Sequence, residues 1–275
     1  MSILLTVFGG ILGAYVAVCF RLADNYVHPH RYPAGPVSDA LADRKIPLDG
    51  LNVPVWTNAK FDPKGTVFVF SHGYGGNRAH WSDLMKRLAK AGYSSVALSM
   101  PGQDESPVEG VGFGVGEAET IRSAAAWLRS QGARKVVGVG LSMGGAATWL
   151  ASDALDAVVT DAAYPTFDQA SERFLDRALP KASLLLRPMI LIGANKADVV
   201  PSEIRPVDVA AGFKGPALVI QGADDRLFPT TFADELSKAA HCDKWLVPGA
   251  GHADCASMAE EEYAHRLVGI AKRLE

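Results

Sequence analysis

The sequence predicts an α/β fold, a mostly parallel twisted sheet with helices on both faces and a small cap inserted late in the chain. Three observations carry this. Short apolar runs rich in β-branched residues recur at 66–70, 94–100, 135–140, 157–162, 217–221 and 244–247. Amphipathic segments separate them, and strands alternating with helices imply a parallel sheet covered on both faces. The run at 135–140 passes through Gly140-Leu141-Ser142-Met143-Gly144 into a helical pattern of small residues, which reads as strand, sharp turn and helix. The chain has 275 residues, room for one domain with a large core plus an appendage. A hydrophobic share of 48% against 21% charged residues marks a folded globular chain, and a net charge of −3 gives no support to a nucleic-acid partner.

Taken in order, residues 2–20 carry no charge and are long enough to span a bilayer as a helix. No basic start and no small-x-small cleavage site accompany them. Residues 1–23 are therefore expected to be an uncleaved single-pass membrane anchor. A cleaved signal and an apolar helix packed on the domain are the alternatives. Arg21, Arg31, Arg44 and Lys45 all follow the span, which favours the cytoplasmic side for the domain that follows. Residues 24–43, with Pro29, Pro33 and Pro36, read as a tether in which His28 and His30 are solvated. The main domain would fill 44–275. Its first element is a hairpin over 44–56 turning at Asp49-Gly50, with Pro47 and Pro54 placing both strands at a sheet edge.

Segment 78–91 is helical, with Trp81, Leu84, Met85 and Leu88 on one face, and 116–130 is a second helix. Residues 164–215 interrupt the alternation and form the cap insertion. Its apolar run at 182–194 is broken by Arg187 and Pro188 and is too short for a second span. Cys19, Cys242 and Cys255 are too few for a disulfide framework or a zinc site; Cys242 and Cys255 either pair or stay as free thiols.

The turn at 140–144 puts Ser142 in a strained conformation with its hydroxyl above the end of the sheet. A serine capping an ordinary strand-to-helix turn is the plainer reading. Serine is a weak nucleophile until a base takes its proton. His252, in the glycine-rich loop after the last strand, is at the sheet edge where catalytic groups collect. His241 and His265 read as ordinary helix residues. A carboxylate must then fix the tautomer of the base. Asp224 and Asp225 compete, and the frame Gly-x-x-Asp-x-x-x-Pro favours Asp225. The loop Ser71-His72-Gly73-Tyr74-Gly75-Gly76-Asn77 exposes backbone N–H groups, so the amides of Tyr74 and Met143 are the natural pair to receive an oxyanion. The glycine runs lack the spacing of a nucleotide fingerprint. No cofactor and no metal are expected.

His72-Gly73, Gly140 to Gly144 and Asp225…His252, in that order, resemble the α/β-hydrolase superfamily over residues 44–275. The order Ser142, Asp225, His252 is the order of its triad. The anchor and small insertion look like bacterial anchored serine hydrolases of the prolyl-oligopeptidase-like and esterase group. Many relatives carry Asp-x-Arg-Gly-His-Gly-x-Ser where this chain has Ser99-Met100-Pro101-Gly102-Gln103-Asp104-Glu105-Ser106. The resemblance implies a serine hydrolase, foremost a carboxylesterase, acting on a small ester or acyl substrate through an acyl-enzyme. The alternatives are a serine peptidase and a non-catalytic binding protein on the same fold. An insertion at 164–215 would lie over Ser142, and Leu184, Leu185, Leu186, Met189, Ile190, Leu191 and Ile192 would face lipid or pack the insertion onto the sheet.

Overall fold

The computed structural model describes residues 2–178, 180–181 and 183–275, with residues 2–5 as backbone only. Helix α1 (Ser2–Val27) precedes a hairpin of β1 (Leu41–Leu48) and β2 (Leu51–Asn58). Strand β3 (Gly65–Ser71) leads through a 3-10 turn at Arg78–Trp81 into α2 (Ser82–Lys90), so the helix expected from residue 78 begins with a tighter turn. There follow β4 (Ser94–Leu98), α3 (Val115–Ser130), β5 (Ala133–Leu141), α4 (Met143–Leu150) and β6 (Ala157–Asp161). Then come α5 (Phe167–Ala178), α6 (Ser183–Lys196), α7 (Pro206–Gly212) and β7 (Ala217–Gly222). Helix α8 (Thr230–Ala239), β8 (Asp243–Val247), α9 (Cys255–Met258) and α10 (Glu260–Lys272) end the chain.

The strands form one sheet in the order β1-β2-β4-β3-β5-β6-β7-β8, parallel from β4 to β8. Asp49 and Gly50 both take positive φ, at 48° and 78°, the turn that matches strand twist in a two-residue hairpin. Pro47 lies in the edge strand β1, but β2 is an inner strand, contrary to the expectation from Pro54. The β2–β4 ladder covers only Val55–Thr57, so the missing Pro54 N–H is not called on; its carbonyl accepts from Ser99 N–H at 3.1 Å.

Alternation within each strand separates two cores. Val67 and Val69 pack under α3, α4, α7 and α8, while Phe68 and Phe70 meet Trp81 and Leu84 beside α2 and α10. The crossover from β3 to β4 runs one way along the sheet and that from β4 to β5 runs the other. Right-handed connections in opposite directions leave their helices on opposite faces.

The expected insertion at 164–215 is narrower in the fold. Helix α7 buries Ala210 in the sheet core and belongs to the covering layer, which leaves α5 and α6 as the cap. Helix α6 runs unbroken through Arg187 and Pro188. It buries Met189 and Ile190 in a cluster with α1 and exposes Leu184, Leu185 and Leu191. The last turns of α1 dock on the cap: Cys19, Ala23 and Val27 are buried, Tyr15 donates to the Leu185 carbonyl at 2.7 Å, and Lys196 meets Asp24 at 2.6 Å. Of the stretch at 24–43 expected as a tether, 24–27 belong to α1 and 41–43 to β1, and the remainder, 28–40, has little regular structure but is fastened to the domain. Arg31 donates to the Ser106 and Val108 carbonyls at 2.7 and 2.9 Å, and Ala34 N–H to Asp104 at 3.0 Å. Cys242 and Cys255 are free thiols.

At the turn after β5, Ser142 takes φ 53° and ψ −117°. A Cβ on Gly140 would fall 2.3 Å from the Gly144 carbonyl oxygen, and one on Gly144 would fall 2.5 Å from that of His72. Backbone fills both spaces, so only glycine fits. Gly144→Ala is therefore expected to destabilise the domain by about 1–3 kcal/mol, lowering the thermal midpoint by several degrees. Gly116→Ala is the control, because a Cβ there meets nothing within 4 Å. Equal midpoints for the two variants would contradict the packing argument.

Candidate active site

Three loops at the C-terminal edge of the parallel strands bring Ser142, Asp225 and His252 together, from the ends of β5, β7 and β8. His252 Nδ1 lies 2.8 Å from Asp225 Oδ2, and His252 Nε2 lies 3.0 Å from Ser142 Oγ. Asp225 Oδ1 accepts from the N–H groups of Leu227 and Phe228 at 2.8 and 2.9 Å, and Oδ2 from Gln221 Nε2 at 2.7 Å. Burial of the Asp225 side chain would raise its pKa. The bond and charge of His252 and the Phe228 and Leu227 amides outweigh that and hold the carboxyl below its ordinary value. An ionised Asp225 accepts from Nδ1–H, which leaves Nε2 to accept the Ser142 hydroxyl proton. Phe228 stands edge-on to the imidazole, 5.0 Å between centroids. Asp224, the competing carboxylate, is exposed on the lining of the groove that opens at His252, while the imidazole bonds to Asp225. His265 is far out on α10, its side chain 82% exposed, and His241 follows the end of α8.

Gly73 brings the β3 loop against Ser142; a Cβ there would lie 3.2 Å from Ser142 Cβ. The N–H groups of Tyr74 and Met143 have no acceptor among the described residues. Two unengaged donors beside a serine hydroxyl can receive negative charge that develops on a carbonyl oxygen. His72 is a structural pin. Its Nε2 accepts from Met100 N–H at 3.2 Å, its Nδ1 donates to the Gly73 carbonyl at 3.0 Å, and burial pushes the imidazole down to about 4, so it is neutral.

Several residues around the site carry no motif. Gln103 accepts from Gly75 N–H, and the buried Arg78 reaches Asp104 at 2.9 Å and also binds Glu105. This network ties the loop at 103–105 to the turn that follows β3. An arginine facing adjacent acids was the available signal. Tyr26 of α1 packs its ring on Tyr74, Phe113 and Phe174 at 5.4, 4.8 and 5.0 Å. Apolar side chains including Phe113, Met143, Tyr164, Phe167 and Ile190 pack into one buried cluster on that side. On the other side, a groove of about 660 Å³ opens at His252, lined by Arg177, Arg226, Leu227 and Asp254.

Asp161, at the end of β6, accepts the Ser142 N–H on its backbone carbonyl at 2.8 Å. Its carboxyl is fully buried near the Cys255 thiol and the Tyr263 hydroxyl, and neither closes a hydrogen bond of good geometry with it. Burial drives this group up to about 7, with the Asp225 charge adding and the His252 charge opposing. A carboxyl raised in the fold contributes stability that is fully present below its unfolded value near 4 and is lost as pH rises through about 7. The wild type should thus lose thermal stability relative to Asp161→Asn between pH 5 and about 8. A difference in midpoint that stays constant over that range would contradict the assignment.

Residues 68–268 match the model of the Alpha/beta hydrolase family. A Methylorubrum extorquens protein bearing the name carboxymethylenebutenolidase is 25% identical over 266 residues, covering 88% of this chain and 82% of that protein. Among solved structures, an esterase of Pyrococcus furiosus superposes with a TM-score of 0.71 at 19% identity, over 90% of this chain and 99% of its own. A membrane phospholipase A described as a bacterial virulence factor reaches 0.62 at 16% identity, over 98% of this chain and 96% of its own. The sheet order, the turn at Ser142 and the family match agree, and the chain belongs to the Alpha/beta hydrolase family.

Proposed function

We propose that this chain is a serine esterase, held at a membrane by α1, that hydrolyses carboxylic esters with apolar acyl groups. The observation that carries the reading is the continuous chain from Asp225 through His252 to Ser142, next to two unengaged N–H donors. Ser142 Oγ attacks the ester carbonyl carbon while His252 Nε2 takes its proton. Asp225 stabilises the imidazolium, and the Met143 and Tyr74 amides bind the oxyanion. Collapse breaks the bond to the alcohol, which leaves with the proton from His252. Water then attacks the acyl-Ser142 ester with His252 again as base, releasing the acid and restoring the serine.

Met143, next in the chain to Ser142, belongs to an apolar cluster with Phe113, Tyr164, Phe167 and Ile190, and the cap helix exposes Leu184, Leu185 and Leu191, which supports an aliphatic or aromatic acyl group. Names of structural neighbours, an esterase and a membrane phospholipase A, are in keeping with ester cleavage. Thr6–Val27 is long and apolar enough to cross a membrane, and it exposes Val7, Phe8, Ile11, Leu12, Val16 and Phe20. A signal sequence passes the same test. Burial of Ala23 and Val27 against the domain supports a helix that is kept, since cleavage after it would bare the apolar surface around Val111 and Phe113. Basic residues that all follow the span favour the cytoplasmic face.

A p-nitrophenyl ester series from acetate to hexanoate, run beside matched peptide amides, tests this. Each methylene that the bound ester buries against apolar side chains contributes about 0.8 kcal/mol, so kcat/KM should climb up to about fourfold per carbon. Ser142→Ala should fall by about a million-fold in kcat, to the background rate. No gain from acetate to hexanoate, faster amide cleavage, or a Ser142→Ala variant retaining measurable turnover would overturn the reading.

A further inference from the structure

The loop that carries the Tyr74 amide reads Gly73-Tyr74-Gly75-Gly76, so Tyr74 has the only side chain by which this stretch can be gripped. The grip is on α1. The Tyr74 hydroxyl donates to the backbone carbonyl of Tyr26 at 3.0 Å, and the two rings pack 5.4 Å apart at 46°. Tyr26 is itself wedged, stacked on Phe174 of the cap at 5.0 Å and against Phe113 at 4.8 Å. The turn that holds it is fixed at both ends. Val111 N–H donates to the Val27 carbonyl at 2.8 Å, and Lys196 binds Asp24 at 2.6 Å. Gly193 of α6 comes close to this turn, where a Cβ would sit 3.6 Å from Val27 and 3.7 Å from Tyr26.

We propose that Tyr26 is a positioning residue for the esterase reaction: the last turn of α1, through its ring and carbonyl, sets where the Tyr74 amide meets the oxyanion. The inference rests on the esterase reading above. It makes the N-terminal helix part of the site as well as a means of attachment. Tyr26 touches no reacting atom. It acts through Tyr74, and a donor displaced by a fraction of an ångström acts chiefly on the transition state, where charge on the oxygen is largest.

The test compares Tyr26→Ala, Tyr26→Phe and Tyr74→Phe in the full-length protein with p-nitrophenyl acetate, an acyl group too short to reach the cap. Rates are taken per serine titrated with a fluorophosphonate, so unfolded molecules do not count. Tyr26→Ala should lower kcat about ten- to a hundredfold with KM within about threefold, the split expected when an interaction made mainly in the transition state is lost. Tyr26→Phe keeps the ring and the carbonyl and should restore kcat to within about threefold. Tyr74→Phe removes only the bond to the Tyr26 carbonyl and should lower kcat less than Tyr26→Ala; it is the deciding variant if Tyr26→Ala does not fold. Unchanged kcat in both Tyr26→Ala and Tyr74→Phe, or a loss in Tyr26→Phe equal to that in Tyr26→Ala, would overturn the proposal. A wild type that neither titrates nor hydrolyses the ester would instead remove the esterase reading, and this inference with it.

Discussion

The conformation of one residue constrains the rest of the molecule. Ser142 is held at φ 53° and ψ −117°, a region that L-residues seldom occupy and that costs about 1–3 kcal/mol. Surrounding structure over-determines it. Its N–H donates across to the Asp161 carbonyl on β6, and its own carbonyl starts α4 by accepting from Ala146 N–H at 3.0 Å. The helix approaches β3 so closely that the Gly144 carbonyl oxygen also receives the Ser71 and Thr148 hydroxyls, at 3.0 and 2.7 Å. Strand, turn and helix are thus locked together before the contact with His252 is considered.

Electrostatics build outward from that point. The buried Asp225 charge is tolerated because its two oxygens accept from two amides, a glutamine and an imidazole. Arg78 is buried too, and is matched by Asp104 with Glu105 and Asp43 at its outer end. Removing one partner from such a pair costs more than the pair contributes. Asp161 is the exception, a buried carboxyl without good partners and with its pKa raised accordingly.

Much of this was legible in the sequence for a physical reason. Parallel strands buried on both faces must be continuous apolar runs, and the turn at Ser142 must have small residues, so both leave short-range patterns. Asp225 and His252 stood out because each follows such a strand. Contacts between distant segments left no pattern. Nothing local distinguishes Pro206–Gly212 as a sheet-covering helix rather than cap, or marks β2 as an inner strand whose ladder stops short of Pro54. The proline-rich stretch after α1 has tether composition, and only the positions of the Ser106, Val108 and Asp104 acceptors fasten it. Tyr26 fell at the border between helix and tether, where its aromatic ring had no periodic partner to reveal it.

The central claim is that Ser142 is a nucleophile activated by His252. Intact-protein and peptide mass spectrometry after treatment with a fluorophosphonate addresses it most directly. One adduct per chain is expected, located on Ser142, with His252→Ala forming it far more slowly. An unlabelled Ser142 in protein that hydrolyses esters, or an adduct on another residue, would contradict the account.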